Sequence, residues 1–219
     1  MNSEMTKPLN CNGSRTQFNR LTRSVFVSAF VFFAFCQNSS AQSISSFKKL
    51  TRPEKWWAVK HLFIAKKTFR VTQQVMVVVE EVKKDTLLDT DINGGQLDAF
   101  KHAYWMAMLA KNIHPKKAYK LGLAHEKGNY FQFKNKIAED NILPDSVSSV
   151  MDIANNQCGI EIGVRCYDFT EEKIREVVVL EIKKGNLKVI LKDETGQYLD
   201  CAWEAINLSL WKGKWGIPK

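Results

Sequence analysis

Leu97-Asp98-Ala99-Phe100-Lys101-His102-Ala103-Tyr104-Trp105-Met106-Ala107-Met108-Leu109-Ala110 is apolar on every side except at Asp98, Lys101 and His102. A helix that is apolar all round belongs inside a protein, not on its surface. Asp98, His102 and Trp105 stand at i, i+4 and i+7 and so share one face of that helix. A carboxylate and an imidazole carried into a core need partners, because burying either unpaired is costly. They can pair with each other. The carboxylate then fixes the imidazole tautomer and leaves one ring nitrogen free, which suits a general base or a metal ligand.

Outward from this stretch, the chain reads as further helices. Upstream, Thr51-Arg52-Pro53-Glu54 is a capping box with proline in the first turn. Trp57, His61, Ile64, Thr68, Val71, Val75, Val78 and Val82 follow at helical spacing, which favours one helix over a strand despite the β-branched run at 75–79. Residues 85–95 form a loop, with Asn93 as the expected cap of the buried helix and Gln96 as its reciprocal partner. His114-Pro115 ends that helix near Asn112 and opens another, which Gly128 is expected to close after Lys127. Pro144-Asp145 opens a helix expected to stop at Gly159, with Val147, Val150, Met151, Ala154 and Cys158 as its apolar face. Thr170 caps a last helix, which ends at Gly185. Leu187–Leu191 and Gln197–Cys201 flank Glu194-Thr195-Gly196 and read as a small hairpin. The expected fold is therefore mainly α, a compact helical bundle with a short C-terminal β-hairpin.

Three consecutive helices carry polar groups out of keeping with their apolar surroundings. Asp98 and His102 lie on the first, Ala124-His125-Glu126 near the end of the second, and Asp152 with Asn156, at i and i+4, on the third. In a bundle, such groups converge in the core. A single histidine on an apolar face is more often a satisfied core residue, but the conjunction on three elements points to a site. His102, Asp98, Glu126 and Asn156 are the candidate catalytic residues, and His102, His125, Asp98 and Asp152 the candidate ligands of a divalent metal such as zinc. His61 and His114 have no acidic neighbours at helical spacing and read as structural. Asp89, Asp91, Asn93 and Gly94 match the first half of a calcium loop, but the twelfth position, which should be glutamate, is Phe100. An Asp/Asn turn is the better reading.

The remaining features place the domain. Arg20 and Arg23 flank the apolar run from Val25 to Phe35, and Ser39-Ser40-Ala41 supplies the small residues of a cleavage site. Residues 1–41 are thus expected to be a signal peptide and 42–219 a single mostly helical domain, periplasmic or secreted. The run is too short to span a bilayer, which takes about 20 residues. Bulky Phe35 before Cys36 argues against a lipoprotein. Beyond the leader, export permits a disulfide, and Cys166 with Cys201 is the expected pair, with Cys158 a core thiol. The composition, 45% hydrophobic and 25% charged, is that of a globular chain. Its net charge of +9 is spread over scattered lysine pairs, not the block of a nucleic-acid tail. No nucleic-acid partner is expected. Trp56, Trp57 and Phe63 are candidates for peripheral membrane contact, although an aromatic stripe at helical spacing more often belongs to a core.

Three blocks, Asn93-Gly94 through Asp98-Ala99-Phe100-Lys101-His102-Ala103-Tyr104-Trp105, Ala124-His125-Glu126, and Met151-Asp152 with Asn155-Asn156 and Gly159, resemble those of a bacterial domain family of unknown function. The resemblance covers roughly residues 51–190. It departs from the family's pattern in having three residues between Gly94 and Asp98, and in having Ala154 where members often place a histidine before the paired asparagines. If that histidine serves the site, a ligand is missing here. The resemblance implies a fold and a site, and no reaction. A looser likeness, to secreted bacterial phospholipases with a His–Asp pair on buried helices, is an analogy only. Three functions are compatible with these residues. One is a metal-assisted hydrolase of a phosphoester, lipid or cell-wall substrate in the envelope, with Glu126 moving protons. A second is a metal-independent lipid hydrolase using the His102–Asp98 pair. The third is a non-catalytic structural or interaction domain with a buried polar network.

Overall fold

A computed structural model describes residues 47–137 and 144–207. The expected leader, residues 1–41, lies outside them. The chain divides into two compact units, Met1–Lys49 and Leu50–Lys219. Of the first, only residues 47–49 are described, and they are helical. The second consists of α1 (Arg52–Lys60), α2 (Leu62–Lys84), α3 (Gln96–Ile113), α4 (Pro115–Lys134), α5 (Ser146–Arg165) and α6 (Glu171–Lys183). No described helix is long and apolar enough to cross a membrane.

The protein is mainly α, with α3 at its centre, packed against α2, α4, α5 and α6. Leu97, Ala99, Phe100, Ala103, Met106, Ala107 and Leu109 are wholly buried. The tightest contact is with α5. A Cβ built on Gly159 would lie 2.2 Å from the carbonyl oxygen of Ala103, and one on Gly163 would lie 2.4 Å from that of Ala107. Gly159 therefore does not end a helix, as expected, but sits inside one and lets two backbones touch. Gly128 is likewise interior to α4, where a Cβ would meet the Thr51 hydroxyl at 2.5 Å.

The local caps follow from side-chain chemistry. Glu54 Oε2 accepts from both the Thr51 N–H and the Thr51 hydroxyl, at 2.7 Å each. Asp145 Oδ1 accepts from the Ser148 N–H, and Thr170 Oγ1 from the Lys173 N–H. The expected single helix from Trp57 to Val82 breaks at His61, whose Nδ1 meets the Trp57 carbonyl at 2.8 Å while its ring stacks on Trp57. Asn93 is not the cap of α3. Asp89 takes that task, accepting from the N–H groups of Gln96 and Leu97, while Gln96 Oε1 accepts from the Asp89 N–H. Asp91 accepts from the Asn93 N–H, and Lys192 pairs with its other oxygen at 2.7 Å.

The C-terminal β-hairpin is absent. Among the described residues there is no strand, and the segment carries only two isolated antiparallel bridges, Lys192 with Tyr198 and Leu199 with Ala205. Near the turn the two arms do bond, the Leu199 N–H to the Leu191 carbonyl at 2.9 Å and the Asp193 N–H to the Gln197 carbonyl at 3.0 Å, but groups of the first arm are committed elsewhere. The Lys188 N–H donates to Asn155 Oδ1 at 2.8 Å, and its carbonyl accepts from Asn155 Nδ2 at 2.9 Å. The Ile190 N–H donates to the Gly94 carbonyl at 2.7 Å. A ladder cannot extend once its donors are spent on α5 and on the loop before α3. The expected Cys166–Cys201 disulfide is also absent. Cys166 is a buried thiol at the end of α5, whereas Cys201 is exposed on the turn beyond Leu199.

Candidate metal centre

α5 is unusual in which face it buries. Ser146, Ser149, Asp152, Asn155 and Asn156 are buried, together with Met151, Gly159 and Gly163, while Val150, Ile153 and Val164 are exposed. The expected apolar stripe is therefore only partly the buried one. The glycine contact fixes this orientation. Asn156 and Asp152 lie three and seven residues before Gly159, on the same side of α5, and Gly159 rests on Ala103, the neighbour of His102.

His102 is buried among three polar partners. Its Nδ1 lies 3.3 Å from Asn156 Oδ1. Its Nε2 lies 3.3 Å from Asp152 Oδ1 and 3.6 Å from Asp98 Oδ1. One ligand atom each from Asp98, His102 and Asp152 falls within 4.8 Å of the others, and all three residues are buried. Asp98 is further held by the Gly94 N–H on Oδ2, at 2.8 Å, and by Lys101 Nζ at 2.6 Å from Oδ1. The expected pairing of Asp98 with His102 is thus present in proximity but not as a hydrogen bond, and Asn156 occupies the other imidazole nitrogen.

Burial drives the His102 pKa well below its usual value, assisted by the charges of Lys101 and His125 and opposed by the bond to Asn156. The imidazole is neutral. With Nδ1–H donated to the Asn156 oxygen, the Nε2 lone pair faces two carboxylate oxygens. Burial, reinforced by Glu126 and Asp98, raises the Asp152 carboxyl well above its ordinary range. Three acceptors converging on one point require positive charge between them. That charge is either a proton, which Asp152 is best placed to hold, or a metal ion.

His125 stands apart from that group. Its ring lies 6.1 Å from that of His102 and meets Trp105 edge-on, and its Nδ1 bonds Glu54 Oε1 at 2.9 Å. Burial works against its charge, but the Glu54 bond and the fields of Glu126, Glu54 and Asp152 outweigh it and raise the pKa to about 9. An imidazolium has no lone pair to give a metal. Glu126, placed one residue on, turns inward. Its Oε2 accepts from Ser149 Oγ at 2.9 Å and Asn129 Nδ2 at 3.2 Å, Oε1 is buried without a hydrogen-bond partner, and burial raises its pKa.

These groups border a cleft of about 570 Å³, lined on its polar side by Glu54, Asp98, Lys101, His102, His125 and Asp152, and on its apolar side by Trp57, Phe69, Met76, Val79 and Trp105. Glu126 and Asn156 lie behind that lining. Two residues of the site carried no assigned role in the sequence. Glu54 was visible only as a capping residue, although a capping glutamate uses one oxygen and leaves the other for a distant partner. Ser149 stands three residues before Asp152 on the same face, a spacing that could have drawn attention to it.

Fold and site together define a mainly helical domain with a buried His–Asp–Asp group at the floor of a half-apolar cleft. The chain belongs to a domain family of unknown function (DUF6973), which matches residues 55–186. No curated protein and no solved structure matches it.

Proposed function

We propose that the chain is an exported envelope protein, periplasmic or secreted, and that it hydrolyses a phosphoester, lipid or cell-wall substrate with the help of a divalent metal. The observation that carries this reading is the convergence of Asp98, His102 and Asp152 within 4.8 Å at the floor of the cleft. Three protein ligands with room beside them are the pattern of a catalytic metal site, whereas structural sites are closed by four. One imidazole and two carboxylates suit zinc and also harder divalent ions such as manganese. A metal bound there supplies Lewis-acid polarisation of a substrate oxygen.

The chain's own residues do the rest. Asn156 holds the His102 tautomer so that Nε2 faces Asp98 and Asp152. Protonated His125, kept in place by Glu54, presents a positive charge to the cleft together with Lys101, which suits an anionic substrate group. Glu126 stands behind Asp152 and raises its proton affinity, and so acts as a positioning residue more than as the proton carrier at the substrate. The apolar wall from Trp57 to Val79 accommodates a hydrocarbon portion and excludes water from the ligands.

The metal-independent His–Asp dyad is the weaker alternative, since the 3.6 Å Nε2–Oδ1 separation is beyond a hydrogen bond and Lys101 already engages Asp98. A purely structural network is disfavoured by the buried oxygen of Glu126 that lacks a hydrogen-bond partner. The test is hydrolysis of chromogenic phosphodiester, phosphomonoester and acyl-ester substrates, with zinc or manganese added or removed by a chelator. Metal-dependent turnover lost in Asp152→Asn supports the proposal. Turnover unaffected by chelation would favour the dyad, and no turnover of any of the three would favour the non-catalytic reading.

A further inference from the structure

We propose that the corner between α1 and α2, with the adjoining face of α4, docks on an anionic lipid surface. Of the three aromatic residues that raised the question in the sequence, only Trp57 belongs to the core, at 7% exposure. Trp56 is 57% exposed and Phe63 is completely so. They are not isolated, for Val59 and Leu62 beside them and Leu123 and Phe131 on α4 are exposed as well. The helix break at His61 makes the corner from which Leu62 and Phe63 project. A groove between α1 and α4, lined by Trp56, Leu123 and Phe131, joins Trp56 to the exposed side chains of α4. Large apolar side chains exposed together on neighbouring turns mark a contact surface.

Charge identifies the occupant. Arg52, Lys60, Lys120 and Lys127 line the same groove, and Lys66, Lys67 and Lys116 are exposed nearby. The acids of these segments, Glu54 within residues 52–67 and Glu126 within 115–127, are both buried and turned toward the site. Among the described residues of these segments, the exposed charge is therefore of one sign. Aromatic and aliphatic side chains set among lysines and arginine, with no acid between them, match the headgroup boundary of an anionic bilayer, where each basic residue near the surface adds to the attraction. This inference does not depend on the metal.

The test mixes the full-length protein with vesicles of phosphatidylcholine alone, or of phosphatidylcholine with phosphatidylglycerol, each with brominated acyl chains, and reads tryptophan quenching and sedimentation. The expected result is partition onto the anionic vesicles that falls with added salt and is weak on the neutral ones. Trp56→Phe should remove most of the quenching. Lys60→Gln and Lys120→Gln should each weaken partition about five-fold, the equivalent of about 1 kcal/mol per basic residue. Phe63→Ser should weaken it without altering the helical circular dichroism, because that side chain touches nothing it would unfold. Absence of partition, equal partition onto both vesicle types, or quenching and partition unchanged in these variants, as when another segment inserts instead, would overturn the proposal. So would a dimer in solution that Phe63→Ser dissociates, since the patch would then belong to a second copy of the chain.

Discussion

The floor of the cleft and its α1 side each hold one histidine, and their surroundings drive the two in opposite directions. At the floor, His102 touches an amide and two carboxylate oxygens, none of them at hydrogen-bonding distance from Nε2 with good geometry, and burial leaves it neutral. On the α1 side, His125 makes one close bond to Glu54 and is charged up to about pH 9. The difference teaches that close carboxylates do not by themselves charge an imidazole. At His125 the bond to Glu54, together with the fields of Glu126, Glu54 and Asp152, outweighs burial, whereas at His102 burial prevails over the bond to Asn156. It also divides the labour of the proposed site, with a lone pair at the floor and a positive charge beside it.

The largest effect should come from separating the two regions by force. Gly159→Val would push α5 off Ala103 and carry Asp152 and Asn156 away from His102, while leaving Glu54 and His125 on α1 and α4. Overpacking against backbone should cost about 3 kcal/mol in urea denaturation. The His125 resonance should keep a raised pKa from Glu54 and Glu126, lowered only by the lost field of Asp152, in whatever fraction remains folded.

Next in size is the α1 partner. Glu54→Gln removes the ion pair and weakens the capping box, and should cost about 2 kcal/mol near neutral pH. The His125 pKa should fall from about 9 toward its usual 6.5, as read by NMR titration. The sign follows from linkage. A histidine whose folded pKa is raised stabilises the protein fully below pH 6.5, and that stabilisation is lost as pH rises through about 9. The Glu54 pKa is lowered, since the His125 and Thr51 bonds overcome its burial, so its share is present above pH 4.5 and is lost on acidification. The variant's stability should therefore change less than the wild type's across both limits.

Smallest, at acid pH, should be the effect of Asp152→Asn in metal-free protein. Its raised carboxyl favours folding only where the unfolded chain is also protonated, below pH 3.8, and that contribution is lost as pH rises through the folded pKa. Asparagine has no proton to lose, so the variant should match the wild type within about 1 kcal/mol below pH 3.8, become the more stable of the two near neutral pH, and vary less with pH. Chemical denaturation in the presence of a chelator measures this.

What could be read from the sequence divides along the same line as the two histidines. The buried α3, the caps at Thr51, Asp145 and Thr170, and the polar positions of α5 are local patterns, visible because i, i+3 and i+4 neighbours are covalently fixed. The partners that set the two charge states are not local. Glu54 lies 71 residues from His125, and Asn156 lies 54 from His102. The sequence thus suggested His125 as a ligand because Ala-His-Glu sits beside the other blocks, and could not show that a capping glutamate had engaged it. Gly128 and Gly159 were misplaced for a related reason. A glycine that lets two helices touch is indistinguishable, in one sequence, from one that ends a helix. The hairpin failed because alternating residues around a turn say nothing of where their backbone donors go, and Asn155 and Gly94 had taken those of Lys188 and Ile190 in the first arm.

The most direct test of the account is a calorimetric zinc titration of the full chain near neutral pH, repeated in buffers of different ionisation enthalpy. The account predicts one bound ion per chain and proton release from the floor of the cleft as the metal replaces the proton of Asp152. Binding should be abolished in His102→Ala and Asp152→Asn but retained in His125→Ala. Absence of saturable binding, or binding that survives the loss of Asp152 and fails with the loss of His125, would contradict it.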